Sequence, residues 1–166
     1  MFEIQAITPN DREMVNCFLR EQWGDTMMIL RGERVELGGA PGFIAWEDEE
    51  FAGLVTYKID TKECEVLSLN SLKEGQGIGT ALMDKVISLA RAVGCQRIKL
   101  ITTNDNVHAM RFYQRLCFDM AALYRNAMEV SRRMKPSIPL IGMDGIPLRH
   151  EVEFELFLDT KVQSRP

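Results

Sequence analysis

Apolar and polar residues alternate at the start of the chain. Phe2, Ile4 and Ala6 are separated by Glu3 and Gln5, and this period of two predicts a half-buried strand. Thr8-Pro9-Asn10-Asp11 follows as a helix start, because Thr8 can cap and proline is tolerated in the first turn. Met14, Val15, Phe18 and Leu19 repeat at helical spacing, and Trp23-Gly24 closes that stripe. Met27 to Ala40 shows no decisive period, and Gly38-Gly39-Ala40-Pro41-Gly42 reads as loop. Two strands are expected at 43–47 and 51–59, joined by the acidic turn Asp48-Glu49-Glu50, with a third at 63–69. Ile78, Leu82, Val86, Leu89, Ala90 and Val93 mark one face of a helix that Gly94 stops. Ile98, Leu100 and Thr102 belong to another strand, ended by Asn104-Asp105-Asn106, residue types that cap helices. Ala109, Phe112, Tyr113 and Leu116 form the stripe of a second core helix; 118–124 reads as strand and 129–134 as a short helix.

The strand–helix–strand unit from Glu63 to Thr103 implies a parallel pair with a right-handed crossover, whereas the flanking strands read as antiparallel hairpins. The expected class is therefore mixed α/β, a predominantly antiparallel central sheet with helices on both faces. A length of 166 residues suits one domain spanning 1–166. With 46% hydrophobic and 27% charged residues, the composition is that of an ordinary soluble globular protein. A net charge of −4 argues against nucleic acid, which needs concentrated Lys and Arg. No apolar run reaches membrane-spanning length, and the first residues lack the pattern of a signal peptide. Cys17, Cys64, Cys95 and Cys117 are widely spaced and read as buried, reduced thiols in a cytoplasmic protein. With His108 and His150 the only histidines, no metal site is expected.

The chemistry concentrates at Glu74-Gly75-Gln76-Gly77-Ile78-Gly79, where three glycines run into the helical pattern. Such glycines accept positive φ and close ligand approach, and a helix start adds free N–H groups and a positive dipole end, so the stretch suits a phosphate. It fits neither G-x-G-x-x-G frame, since the third glycine would fall at Thr80 or Leu82. Gly79 is followed by Thr80-Ala81 rather than Lys-Ser/Thr, so it is no nucleoside-triphosphate loop either. Taken alone, the glycines could simply make a tight strand-to-helix turn.

About thirty residues on, 106–118 reads N-x-x-A-x-x-F-Y-x-x-x-C-F. Paired with the glycine loop, this resembles the GCN5-related N-acetyltransferase (GNAT) family, whose loop runs Arg/Gln-x-x-Gly-x-Gly/Ala and whose later helix reads Asn-x-x-Ala-x-x-Phe/Leu-Tyr-x-x-x-Gly-Phe. The resemblance covers Phe43 to Phe118 most strongly. Glu74 stands where the family has Arg or Gln, and Cys117 replaces its glycine, which suggests a slightly altered turn.

The resemblance implies that the parallel strand pair splays apart and that the ligand is acetyl-coenzyme A, the acyl donor. Its pyrophosphate would lie on the amides of Gly75, Gln76, Gly77, Ile78, Gly79 and Thr80, with Glu74 at the head of that cofactor loop. Leu67, Ser68 and Leu69 would flank the pantetheine arm, with Leu69 N–H polarising the thioester carbonyl. Asn106 would hold the cofactor or fix its helix start, and Phe112 would line the cofactor site. Tyr113 matches the family's general acid for the departing thiolate; its other reading is a packed core aromatic. Glu63 and Glu65 are candidate bases, placed by strand alternation on one face with Leu67 and Leu69. A water chain is the alternative, while Asn104 and Asp105 read as caps. The acceptor implied is a primary amine of a small molecule, attacked directly in a ternary complex. The alternatives are a protein N-terminal or lysine acetyltransferase, and a non-catalytic acyl-CoA-binding sensor.

His108, Arg111, Arg115 and the run Arg132-Arg133-Met134-Lys135 read as solvated helix positions. Trp23 reads as an acceptor-pocket wall or a core anchor. Residues 135–147 carry three prolines and two glycines among apolar residues, a stiff ordered loop. It would cover the acceptor site or pack on the sheet or a partner subunit, which leaves a homodimer open. Val152, Phe154, Leu156 and Leu158 then alternate with Glu151, Glu153 and Glu155, a strand with one acidic face.

Overall fold

The alternating start of the chain forms β1 (Phe2–Ala6), and the computed structural model describes residues 1–158. The last part of the expected 1–166 domain span lies outside the described residues. A short 3-10 turn at Pro9–Asp11, with Thr8 and Asp11 in a capping box, leads into α1 (Arg12–Trp23). Gly24, at φ +76°, ends that helix. The stretch without a clear period is a small hairpin of β2 (Met27–Leu30) and β3 (Glu33–Glu36). Its two-residue turn puts both Arg31 (φ +51°) and Gly32 (φ +73°) in the left-handed region, as a tight hairpin of this type requires.

The main sheet comprises β1, β4 (Gly42–Glu47), β5 (Glu50–Asp60), β6 (Glu63–Ser71), β7 (Arg97–Thr103), β8 (Asp119–Tyr124) and β9 (Glu151–Phe157). Their order is β1-β4-β5-β6-β7-β9-β8, antiparallel throughout except for the parallel pair β6–β7. The remaining helices are α2 (Ile78–Ala92), α3 (Val107–Arg115) and α4 (Ala127–Met134).

Strand alternation divides the core in two. Val55, Val66 and Leu100 pack with residues of α2 and α3 on one face. Their neighbours Leu54 and Leu67 pack with Val15, Phe18 and Leu19 of α1 on the other. Within α2, Met83 and Ile87 complete the buried face, whereas Val93 is exposed because it follows the helix as its C-cap. No helix among the described residues is long and apolar enough to cross a membrane.

The cysteines correct one expectation. Cys64 and Cys95 are buried, but Cys17 and Cys117 are exposed. Burial pushes the Cys64 thiol up to about 12, so it stays protonated. Trp23 is also no core anchor: it is partly exposed, and its carbonyl accepts from Lys135 Nζ at 3.1 Å.

Candidate active site

β6 and β7 pair only from Glu63–Val66 against Arg97–Leu100. Beyond Val66 the two strands part, and β6 from Ser68 to Ser71 is paired with β5 alone. The opening is reinforced by a bulge in β6. Thr56 pairs with Ser68 and Tyr57 with Val66, so Leu67 is the extra residue. The bulge resets the alternation, which corrects the expected face assignment. Leu67 lies in the α1-side core and Ser68 bonds Thr56 at 2.6 Å, but Leu69 packs on the α2–α3 side with Val66.

The glycine loop stands at the head of α2, just after β6. Gly75 (φ +75°) and Gly77 (φ +79°) are both left-handed, and a Cβ on either would meet only open space. Gly77 is the N-cap, no side chain caps the helix, and Ala81 N–H bonds the Gly77 carbonyl at 2.9 Å. The N–H groups of the first turn precede that bond and remain available to an anion. Glu74 and Gln76 are exposed, while Ile78 is buried and seats the helix start. Gly79 and Thr80 are half-buried, and a Cβ at Gly79 would lie 3.5 Å from Phe112 Cζ. Phe112 thus joins α3 to the loop.

Asn106 caps α3, its side-chain oxygen accepting from Ala109 N–H at 3.0 Å. Tyr113 is buried among Phe112, Phe118 and Phe154, with ring centroids 5.2, 5.9 and 5.8 Å away. Phe154 pairs with Leu100, the last β7 residue paired to β6, so Tyr113 stands at the base of the opening on the α2–α3 face. Burial raises its phenol well above the ordinary value. Cys117 has φ +67°, so the residue that replaces the motif's glycine takes a left-handed conformation in which a side chain is strained.

Glu63 and Glu65 lie on the opposite face, within a network of ion pairs. Glu63 pairs with Lys99 at 2.8 Å and Arg97 at 3.5 Å; the Lys99 hydrogen bond, then the charges of Lys99 and Arg97, hold its carboxyl below the usual range. Glu65, only 2% exposed, pairs with Arg31 at 2.8 Å and Lys58 at 3.0 Å. Neither carboxylate touches Tyr113, and both have cations on their oxygens.

The acidic face of β9 belongs to the same network, with Glu151 and Glu153 buried and Glu155 half-buried. Glu153 accepts from Arg97, from Arg31 at 3.3 Å and from Tyr124 Oη at 2.8 Å. Glu151, 1% exposed, accepts the Arg31 main-chain N–H at 3.0 Å. Burial raises its carboxyl above the usual range, opposed by that N–H and the Arg31 charge. No sequence signal separated these glutamates from an ordinary polar strand face. Beside the network, a cavity of about 470 Å³ opens between β3 and β5–β6, lined by Glu33, Glu36, Lys58 and Leu67 among others.

The proline-rich loop packs on its own chain. Asp105 accepts from Thr103 Oγ1 at 2.5 Å and Met143 N–H at 2.9 Å; Asn104 Oδ1 accepts the N–H groups of Arg149 and His150. Arg132 donates to the carbonyls of Pro139 and Leu148. Asn104, Asp105 and Arg132 are therefore loop anchors, not a pair of caps and a solvated helix end.

A family model described as "Acetyltransferase (GNAT) family" matches residues 11–118. YdhI of Bacillus subtilis strain 168, an uncharacterised protein, is 43% identical over 160 residues, covering 94% of this chain and all of that one. Among solved structures, a GNAT acetyltransferase from Elizabethkingia anophelis with acetyl-CoA bound has a TM-score of 0.69 at 18% identity, covering 94% of this chain and 97% of that one. An acetyltransferase from Bacillus subtilis in complex with CoA gives 0.64 at 18%, with the same coverage.

Proposed function

Since the chain belongs to the acetyltransferase (GNAT) family, we propose that it transfers acetyl from acetyl-coenzyme A to a primary amine of a small molecule, by direct attack in a ternary complex. One observation carries this reading: the unpaired edge of β6 from Leu67 to Ser71 lies beside a helix start with free N–H groups and a buried phenol. One structural neighbour with acetyl-CoA bound and another in complex with CoA support the donor.

In this reading the pyrophosphate rests on the amides of 75–80, where backbone donors carry the binding and exposed Glu74 turns to solvent. The pantetheine arm occupies the opening along Leu67, Ser68 and Leu69, and Leu69 N–H polarises the thioester carbonyl. An alkylammonium, with an unperturbed pKa of about 10.4, must lose a proton before it attacks. Lys99 and Arg97 hold Glu63 below the usual carboxylate range, and the Glu65 oxygens are occupied by Arg31 and Lys58, which favours a water chain for that step. The amine nitrogen forms the C–N bond, the C–S bond breaks with its electron pair on sulfur, and Tyr113 protonates the thiolate. The nitrogen's second proton restores the phenol through solvent.

Donor and acceptor approach from opposite faces in this account. The glycine loop and Tyr113 serve the α2–α3 face, and the cavity lined by Leu67 serves the other. Incubation with acetyl-CoA and separate pools of small amines and peptides, read by mass spectrometry, tests it. Acetylated small amines support the proposal, whereas acetylation confined to peptide N-termini or lysines transfers the function to protein acetylation.

A further inference from the structure

Arg31 occupies a position that no sequence motif marks. It sits in the β2–β3 turn with φ +51°, a conformation that non-glycine residues rarely adopt. Glu151 of β9 holds it there by accepting its main-chain N–H at 3.0 Å. The side chain then reaches the sheet and divides between two strands. One guanidinium nitrogen pairs with Glu65 of β6 at 2.8 Å, and the other with Glu153 of β9 at 3.3 Å.

β6 and β9 are not neighbours, because β7 lies between them. Two strand spacings separate them by roughly 10 Å. Glu65 pairs with Lys99 in β7, and Glu153 pairs with Ile101. The guanidinium therefore crosses β7 between Lys99 and Ile101, level with Leu100, the last residue at which β6 and β7 are paired. Arg97 shares Glu153 with Arg31 on β9, but its β6 partner is Glu63 at the far end, where β6 and β7 are already hydrogen-bonded. Arg31 acts where the backbone ladder stops.

We infer that Arg31 is a positioning residue: a strap across the acceptor face that ties β6 to β9 and fixes the width of the opening between β6 and β7. This rests on the acetyl-transfer reading for its purpose, since that opening would hold the thioester and the amine at bonding distance. The strap itself is a property of the fold. A planar guanidinium can serve two carboxylates at once, which an ammonium on a flexible stem does poorly. Both carboxylates are buried, so loss of the shared cation is felt locally.

The test is amide hydrogen exchange on Arg31→Lys without ligand, alongside Glu65→Gln, whose neutral isostere keeps the fold should the lysine variant fail. Arg97→Lys is the control at the paired end. Acetyl-CoA affinity by calorimetry is the second readout, and it needs no acceptor. The strap predicts exchange about tenfold faster at 67–71 in Arg31→Lys and Glu65→Gln, with β4–β5 and α1 unchanged. It also predicts weaker acetyl-CoA binding in both variants and wild-type exchange at 67–71 in Arg97→Lys. Faster exchange spread evenly over the sheet, or unchanged exchange at 67–71, overturns it. If wild-type protein binds acetyl-CoA but transfers nothing to any amine, the function fails while the exchange result still judges the strap.

Discussion

The main-chain N–H of Phe118 donates to the Tyr113 carbonyl at 3.0 Å, and the two rings pack with centroids 5.9 Å apart. With Cys117 N–H donating to the Gln114 carbonyl at 3.0 Å, these bonds make the Schellman ending of α3, complete with its hydrophobic contact. The helix terminus is thus also the mount of the candidate acid. The left-handed residue inside it is Cys117, at φ +67° and exposed. Cys117→Gly should stabilise the protein by about 1 kcal/mol, because glycine adopts this conformation without the Cβ penalty. A urea midpoint that rises at unchanged slope checks it.

Tyr113→Phe should lower amine-dependent thiol release by about 10²-fold, the order expected of a lost acid catalyst. Acetyl-CoA affinity and folding should be little changed, because the ring stays packed among Phe112, Phe118 and Phe154. Since burial raises the phenol, no activity should be lost to its ionisation anywhere below pH of about 10. Full turnover by the phenylalanine variant across that range would remove Tyr113 from the mechanism.

Two of the loop glycines, Gly77 and Gly79, should respond differently to alanine. Gly77→Ala, at φ +79°, should cost about 1 kcal/mol and weaken acetyl-CoA binding. Gly79 lies inside α2 without positive φ, and its Cβ would make ordinary contact with Phe112. Gly79→Ala should therefore be neutral in stability, or gain up to about 1 kcal/mol from helix propensity. Thermal unfolding of the pair, with and without acetyl-CoA, separates the two cases.

Glu151 should depress stability at neutral pH. Its folded carboxyl is raised, so the folded state binds more protons, and stability falls as pH rises through the folded value. Glu151→Gln keeps an acceptor for the Arg31 N–H. It should be more stable than wild type near pH 7, and the difference should vanish below the unfolded carboxylate value of about 4.3. Unfolding curves that stay parallel from pH 4 to about 8 would contradict this.

Gly142 marks how tightly the proline-rich loop is seated. A Cβ there would collide with Asp105 Oδ2, so Gly142→Ala must displace either the loop or the carboxylate that holds Met143. Chymotrypsin should then cut at Leu140 faster than in wild type, at a cost of about 1–3 kcal/mol in stability.

The sequence makes the sheet, the helices and the glycine loop readable because each rests on a local rule. Alternation marks the strands, positive-φ glycines mark Gly75 and Gly77, and Asn106 is a cap. What it hides is non-local. The β2–β3 hairpin has strands of only four residues, too short to show a period, and its turn begins with Arg31 rather than a common turn former. The bulge at Leu67 depends on pairing with β5, so simple alternation puts Leu69 on the wrong face. Glu151 and Glu153 look like solvated strand positions until Arg31, Arg97 and Tyr124 are brought over them from other elements.

The most direct test of the central claim is thiol release from acetyl-CoA measured across a panel of primary amines. The account predicts release that depends on the amine, is matched by acetylated product, and falls in Tyr113→Phe. Tight acetyl-CoA binding with no amine-dependent release would contradict it and leave a non-catalytic acyl-CoA sensor.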